Sequence, residues 1–299
     1  MKTSKCIKGP FAKLTNDIAF KWIFGQEANK DILIALLNEL IPERRITDVS
    51  LFRDSNVPHS KELKKGVFDV SCKTADGSYI DVEVQVRSQK SFADRCLYYS
   101  TYNIQGQIEQ GAAGYDLKPV YVVSIDDFVR SHGPEWQGEV LTHYSLREDA
   151  SHELMTDSLH FCFVELPLFK KEWEELDNDK ERFYFCFRHL HEMEEIPLEL
   201  IPEIFAKLVG QARVLEMPPN LKTKYYKNMT TEIDKRAQLQ FARDEGVAEG
   251  IAKGEAKGRA EGLSEGKAEV ARAMLAKDMD PELISEVTGL SAEEIKKLA

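Results

Sequence analysis

The chain has 299 residues, with 40 Lys+Arg, 51 Asp+Glu, a formal net charge of −11 and 42% hydrophobic residues. That length supports a sizeable core, and the spread of aromatic residues excludes wholesale disorder. No apolar run approaches the ~18–20 residues of a membrane span, and no apolar run follows the lysines between Met1 and Lys13, so the expectation is a soluble, cytoplasmic protein without a secretory signal or a membrane partner.

Cys6, Cys72, Cys96, Cys162 and Cys186 stand far apart with no C-x-x-C, which predicts reduced core thiols rather than a disulfide framework or a zinc site. His189-x-His191 reads as part of a solvated helix end. Residues 1–120 hold 17 Lys/Arg and 15 Asp/Glu, whereas residues 121–299 hold 23 and 36. The near-neutral first part can approach a phosphate backbone. The acidic second part is poorly suited to it.

Thr15 to Leu40 has helical periodicity, carried by Ile32, Leu33, Leu36, Leu37 and Leu40, with Gly25 as a break between two helices. Ile46 to Phe52 is a short strand. Phe68–Lys73 and Tyr79–Arg87 alternate with period two. Phe68, Val70 and Cys72 form one face, and Asp69, Ser71 and Lys73 the other; Ile80, Val82, Val84 and Val86 oppose Asp81, Glu83, Gln85 and Arg87. A two-residue Asp-Gly loop sets polar Ser71 against apolar Val82. A three-residue loop, Ala75-Asp76-Gly77, keeps both faces intact, puts Gly77 in the left-handed position and places Asp69 directly across from Glu83.

Residues 91–110 read as an amphipathic helix ended near Gly111, and Pro119–Ile125 as a buried strand reached by a parallel crossover. Val140–Leu146 and Leu159–Leu166 are further strands, followed by helices at Trp173–Leu190 and Leu198–Leu215. Gly246, Gly250, Gly254, Gly258, Gly262 and Gly266 recur every fourth residue. Each costs a helix about 1 kcal/mol relative to alanine. The repeat is either a helix stripe for close approach of a partner helix or a flexible charged linker. Ala268–Lys277, a helix capped by Asp280-Pro281, a turn at Gly289 and a Ser291-x-x-Glu294 capping box make a small terminal unit. It is similar to a helix-turn-helix, but it lacks a basic face and is expected to be a helical hairpin with no DNA role.

The residues suited to chemistry are Asp69, Glu83 and Gln85. Like charges opposed across a strand pair persist if one is protonated, if a cation bridges them or if both are solvated. A Mg²⁺ or Mn²⁺ ion held by two carboxylates polarises a phosphodiester and lowers the pKa of an attacking water. The Gln85 amide is placed to orient that water but supplies no positive charge. Spacing alone favours an edge hairpin with an ordinary polar face, which Asp81 and Arg87 fit as well.

Asp69, Gly77, Ile80-Asp81-Val82-Glu83-Val84-Gln85 and Arg95-x-x-Tyr98-Tyr99 resemble the Rpn family, recombination-promoting nucleases often labelled transposases, of the PD-(D/E)XK nuclease superfamily. Asn16-Asp17-Ile18-Ala19-Phe20-Lys21-Trp22-Ile23-Phe24-Gly25 is similar to that family's opening helix. Leu117-Lys118-Pro119-Val120 and Phe163-Val164-Glu165-Leu166-Pro167 extend the likeness over residues 13–170. The resemblance implies an α/β, mixed-sheet PD-(D/E)XK-like nuclease core with a helical C-terminal region. It implies Asp69, Glu83 and the Val84 carbonyl as metal ligands for Mg²⁺ or Mn²⁺, with Asp17 on the opening helix assisting the metal site, and DNA as substrate. Gln85 stands where the superfamily more often has lysine. The expected organisation is a nuclease core over 1–170, a helical extension over 171–240 and a glycine-repeat tail over 241–299 that forms homo-oligomers. The expected activity is metal-dependent DNA endonuclease cleavage in recombination or mobile-element biology. The alternative is a catalytically silent binding protein on the same fold.

Overall fold

The computed structural model describes residues 6–52, 68–89, 91–108, 114–197 and 201–298. The chain divides into two compact units, residues 1–229 and residues 230–299. In the first, β1 (Cys6–Lys8) pairs with β8 (Glu195–Pro197) as a separate two-stranded sheet. Asn16 starts α1 (Asp17–Phe24) by accepting the backbone N–H groups of Ile18 and Ala19, and Gly25 ends it. Lys30–Leu40 forms α2, so the helix break falls at Gly25, where a Cβ would meet the Lys21 carbonyl oxygen at 2.7 Å.

The main sheet has six strands in the order β2-β3-β4-β5-β7-β6: Val49–Phe52, Val70–Thr74, Tyr79–Gln85, Val120–Asp126, Leu159–Glu165 and Leu141–Ser145. The three central strands β4, β5 and β7 are mutually parallel, and the flanking pairs are antiparallel. Helix α3 (Phe92–Gln105) makes the crossover from β4 to β5. It ends at Gly106, whose N–H bonds the Tyr102 carbonyl, earlier than the predicted end; Gly111 lies outside the described residues.

The β3–β4 hairpin follows the expected three-residue loop. Val70, Ser71, Cys72 and Lys73 pair with Val82, Asp81, Ile80 and Tyr79, and Gly77 has φ +92°. One end departs from expectation. Thr74 N–H donates to the Ser78 carbonyl, so even-numbered residues of β3 direct their N–H groups at β4, and that of Asp69 should point away. Instead Asp69 N–H donates to the Val82 carbonyl at 3.1 Å. Asp69 is therefore an extra residue in a β-bulge rather than the direct partner of Glu83. Phe68 is turned under α3 with Phe92, Cys96 and Phe163, not onto the face of Val70 and Cys72.

The central strands β4 and β5 are buried on both faces. Val70, Cys72, Ile80, Val82, Tyr121, Val123 and Cys162 join a core with α1 and α2, to which α4 (Asp179–His189) and α5 (Glu203–Gln211) add Phe183, Phe187, Phe205 and Leu208. The helix predicted from Trp173 begins later. Residues Trp173–Glu175 form a separate turn, and the Asn178 side chain caps α4 by accepting from Glu181 N–H. Residues 198–200, where the next helix was predicted to start, lie outside the described residues. Cys72, Cys96, Cys162 and Cys186 are buried thiols; Cys6 is half-buried.

Helix α6 (Pro219–Leu275) begins in the first unit, where the Tyr225 hydroxyl accepts Lys13 N–H and Asn228 accepts from the Asn16 amide. These bonds tie down the segment leading into α1. All six repeat glycines lie inside α6, so the repeat is helical rather than a linker. The second unit closes with α7 (Pro281–Thr288) and α8 (Ala292–Leu298), packed on α6 through Ala271, Ile284 and Ile295. Gly289 adopts φ +70°, and Ser291 and Glu294 bond reciprocally as the sequence predicts.

Candidate active site

The last residues of the three parallel strands, Gln85, Asp126 and Glu165, stand in register across the sheet. Open α/β sheets bind ligands at these carboxyl ends. Glu83, two residues inside, is on the α3 side, in register with Ser124 and then Phe163. Alternation made Asp81, Glu83 and Gln85 a polar face, but α3 covers it. Asp81 is fully buried, holding the Ser71 hydroxyl at 2.6 Å and the Asn103 amide. The solvated edge hairpin is thereby replaced by an enclosed cluster of charges.

The bulge aims Asp69 into that cluster. Its Oδ2 accepts the Val84 N–H at 2.8 Å, and its Oδ1 lies 2.9 Å from Lys21 Nζ, which also pairs with Asp17. Backbone groups of one residue point the same way off a strand, so the Val84 carbonyl is directed to the side where Asp69 sits. Glu83 Oε1 pairs with Arg95 from α3; its Oε2 is buried without a hydrogen-bond partner. Gln85 Nε2 donates to the Arg87 carbonyl at 3.0 Å, and its oxygen lies 3.4 Å from the Arg95 guanidinium. Asp126 accepts from the Ser124 hydroxyl at 2.6 Å, with Arg130 Nε at 3.9 Å.

Burial pushes the carboxyls of Asp69, Glu83 and Asp126 up to about 7. For Asp69 the neighbouring Asp17 adds to burial while Lys21 opposes it; for Glu83 Arg95 opposes and Asp126 adds. Burial also penalises the Asp17 carboxylate, but its bonds to Asp69 and Lys21 outweigh that and hold it low. Lys21 and Asp17 act electrostatically on Glu83 too, which joins α1, β3 and β4 in one charged cluster.

These shifts set a pH dependence. A carboxyl whose folded pKa is raised stabilises the fold fully below its ordinary value near 4 and loses that contribution as pH rises through about 7. The metal-free protein in EDTA is expected to melt at a higher temperature at pH 5.5 than at pH 8, with a smaller difference in Glu83→Gln. Identical melting profiles for the two proteins, read by scanning fluorimetry across this range, would remove Glu83 from the account.

The donor set fits a hard divalent cation. Two carboxylates and a strand carbonyl are oxygen ligands, and such an ion takes its remaining ligands from water and phosphate. Glu83 Oε2 is buried without a hydrogen-bond partner and is an atom left for it; Asp126 Oδ2 and Glu165 Oε1 at the neighbouring strand ends are likewise without one. Among the described residues no three His, Cys, Asp or Glu side chains converge as a ready-made cage. Lys21 and Arg95 instead neutralise the carboxylates.

The sequence singles out Asp69, Glu83, Gln85 and Asp17, which the fold gathers around Lys21 and Arg95, but it assigns no role to Lys21, Arg95 or Asp126. Two signals were available: Lys21 stands four residues after Asp17 on one helix face, and Asp126 is a carboxylate ending an apolar strand. Gln85, tied at both amide atoms, is expected to act by position. Gln85→Ala should lower turnover roughly ten- to hundred-fold while sparing metal affinity and fold. Unchanged single-turnover rates would remove it from the site.

No described helix is long and apolar enough to cross a membrane. Searches of curated proteins and of solved structures returned no match. Two family descriptions do match: "PD-(D/E)XK nuclease family transposase" over residues 14–242 and "Rpn/YhgA-like nuclease family, C-terminal HTH domain" over residues 264–299. The second names as a helix-turn-helix the unit that the sequence reading took for a hairpin without a DNA role. With most of its length matched, the chain belongs to the PD-(D/E)XK nuclease family of transposases, of the Rpn type.

Proposed function

We propose that the protein is a divalent-metal-dependent DNA endonuclease that hydrolyses phosphodiester bonds in mobile-element or recombination biology. The observation that carries this reading is the charged cluster in which Lys21 joins half-buried Asp69, just before β3, to buried Glu83 near the carboxyl end of β4, with Glu83 Oε2 left unpartnered. Asp69, Glu83 and the Val84 carbonyl would hold Mg²⁺ or Mn²⁺. The bound ion supplies a Lewis acid for the phosphodiester and lowers the pKa of an attacking water. The chain's own groups do the rest. The Val84 N–H and Lys21 fix the two Asp69 oxygens, and Arg95 fixes one Glu83 oxygen, so both carboxylates are held in place and Glu83 presents its unpartnered oxygen. Lys21 and Arg95 place positive charge where a phosphate must approach an acidic cluster, and Gln85, bonded to the Arg87 carbonyl, orients the water.

The terminal unit, by its family description, is read as a DNA-binding element that adds affinity to the core. The test is plasmid cleavage by the pure protein in Mg²⁺ or Mn²⁺. Wild type should nick or linearise the plasmid, and Glu83→Ala should lose this activity. Metal-independent cleavage, or equal cleavage by Glu83→Ala, overturns the proposal. A wild type with no activity that still binds DNA would support the silent binding protein instead.

A further inference from the structure

Beside the charged cluster, on the same side of the sheet, lies a cavity of about 460 Å³ between α3, β6 and β7. Phe161 and Phe163 of β7, Tyr144 of β6 and Leu97 of α3 line it. Phe163 is two strands from Glu83 in the same register row, hence about 10 Å away at ordinary strand spacing. Arg130 links the two places. Its Nε is 3.9 Å from Asp126 and 3.5 Å from Glu165, and its guanidinium lies 3.7 Å from the centroid of the Phe163 ring.

The composition selects a class of ligand. Phe163 is buried with Arg130 over its ring and Tyr144 edge-on at 5.7 Å, which leaves half-buried Phe161 and exposed Tyr144 as the accessible rings. Leu97, Tyr144 and Leu146 are 49%, 45% and 44% exposed, so large apolar side chains face an open mouth. A phosphate is poorly served there. Arg130 is already paired with buried carboxylates, and Asp94 on the rim repels an anion. A flat, uncharged, aromatic group with polar edges suits these walls, and the size lies in the usual range for small-ligand pockets, roughly 300–1,000 Å³.

We propose that this cavity receives an unstacked nucleobase of the strand whose phosphate lies at Asp69 and Glu83, so that the protein takes single-stranded or locally opened DNA. The choice of a DNA strand as the source of the base rests on the nuclease reading. The stacking itself rests on the cavity. Base–aromatic stacking tolerates any sequence, because every base has a π face.

The test separates the cavity from the chemistry by measuring binding rather than cleavage. Full-length protein with Ca²⁺ is titrated into two labelled strands of about twelve nucleotides, a length within single-strand site sizes. One is oligothymidylate; the other is wholly abasic, with the same phosphates and no bases. Wild type is expected to bind oligothymidylate about ten-fold or more tightly, the effect of a stacked base. Ala93→Phe fills the cavity from an exposed position on α3, where folding is not at risk, and should bring the ratio near one. Tyr144→Ala should also lower it. A wild-type ratio near one, no binding to either strand, or a ratio kept in both variants overturns the proposal. So does thymidine monophosphate competing as well as the strand, because the cavity would then serve free nucleotides. None of these outcomes bears on the plasmid test, which judges the nuclease reading alone.

Discussion

Asp69→Asn is expected to lower Mn²⁺ affinity at least about 100-fold, beyond the 10–100-fold typical of losing a group that merely supports a ligand. The metal-free fold should survive. Asparagine keeps an oxygen to accept the Val84 N–H, and Lys21 keeps Asp17 as a partner. Above pH 7 the substitution removes a charge that burial and Asp17 make costly there, so melting at pH 8 should hold or rise. Calorimetry is the measurement. Unchanged Mn²⁺ affinity would sink Asp69 as a ligand, and a lowered melting temperature with unchanged affinity would make it a structural bulge residue. The wild-type affinity should also increase from pH 6 to pH 8, as protons leave the carboxyls that the ion needs.

The hairpin shows what the sequence could and could not reveal. Alternation over Tyr79–Gln85 and the position of Gly77 were local signals, and they gave the loop length and four paired residues correctly. The bulge was not local. It forms because the Asp69 carboxylate takes the Val84 N–H and reaches Lys21 on a distant helix, which no period-two pattern encodes. Period two also divides faces without saying what covers them. Asp81 and Glu83 read as a solvent face, yet α3 brings Asn103 and Arg95 down onto them. Capping explains the misplaced helix ends. Gly106 rather than Gly111 closes α3, and Asn178 rather than an apolar residue opens α4, since a cap is decided by one bond to a backbone group. The apolar run of Val120–Ile125 was easier: burial on both faces needs only hydrophobic residues throughout.

Deleting residues 241–299 is expected to lower the oligomeric state while leaving a folded core that still binds metal. The argument begins with helix energetics. Six glycines in α6 cost roughly 1 kcal/mol each relative to alanine, and within the described chain a Cβ at any of Gly246, Gly250, Gly254, Gly258, Gly262 or Gly266 would meet nothing within 4 Å. The stripe is therefore not explained by packing in a single chain. Val247 and Ile251, which lie together on one side of Gly250 on the helix surface, are 55% and 59% exposed. A second copy of the helix laid along the glycines would bury these side chains at close backbone approach, as small-residue faces allow. The cut at 241 removes two residues of the nuclease match, 241 and 242, and all of the terminal one. Replacing Gly250, Gly254 and Gly258 with leucine should make an isolated tail more helical yet block the close contact, separating propensity from association. Light scattering should report fewer subunits for both variants than for wild type. Equal subunit counts in all three would show that the tail does not assemble the protein, and would leave the glycine stripe as a device for some other helix.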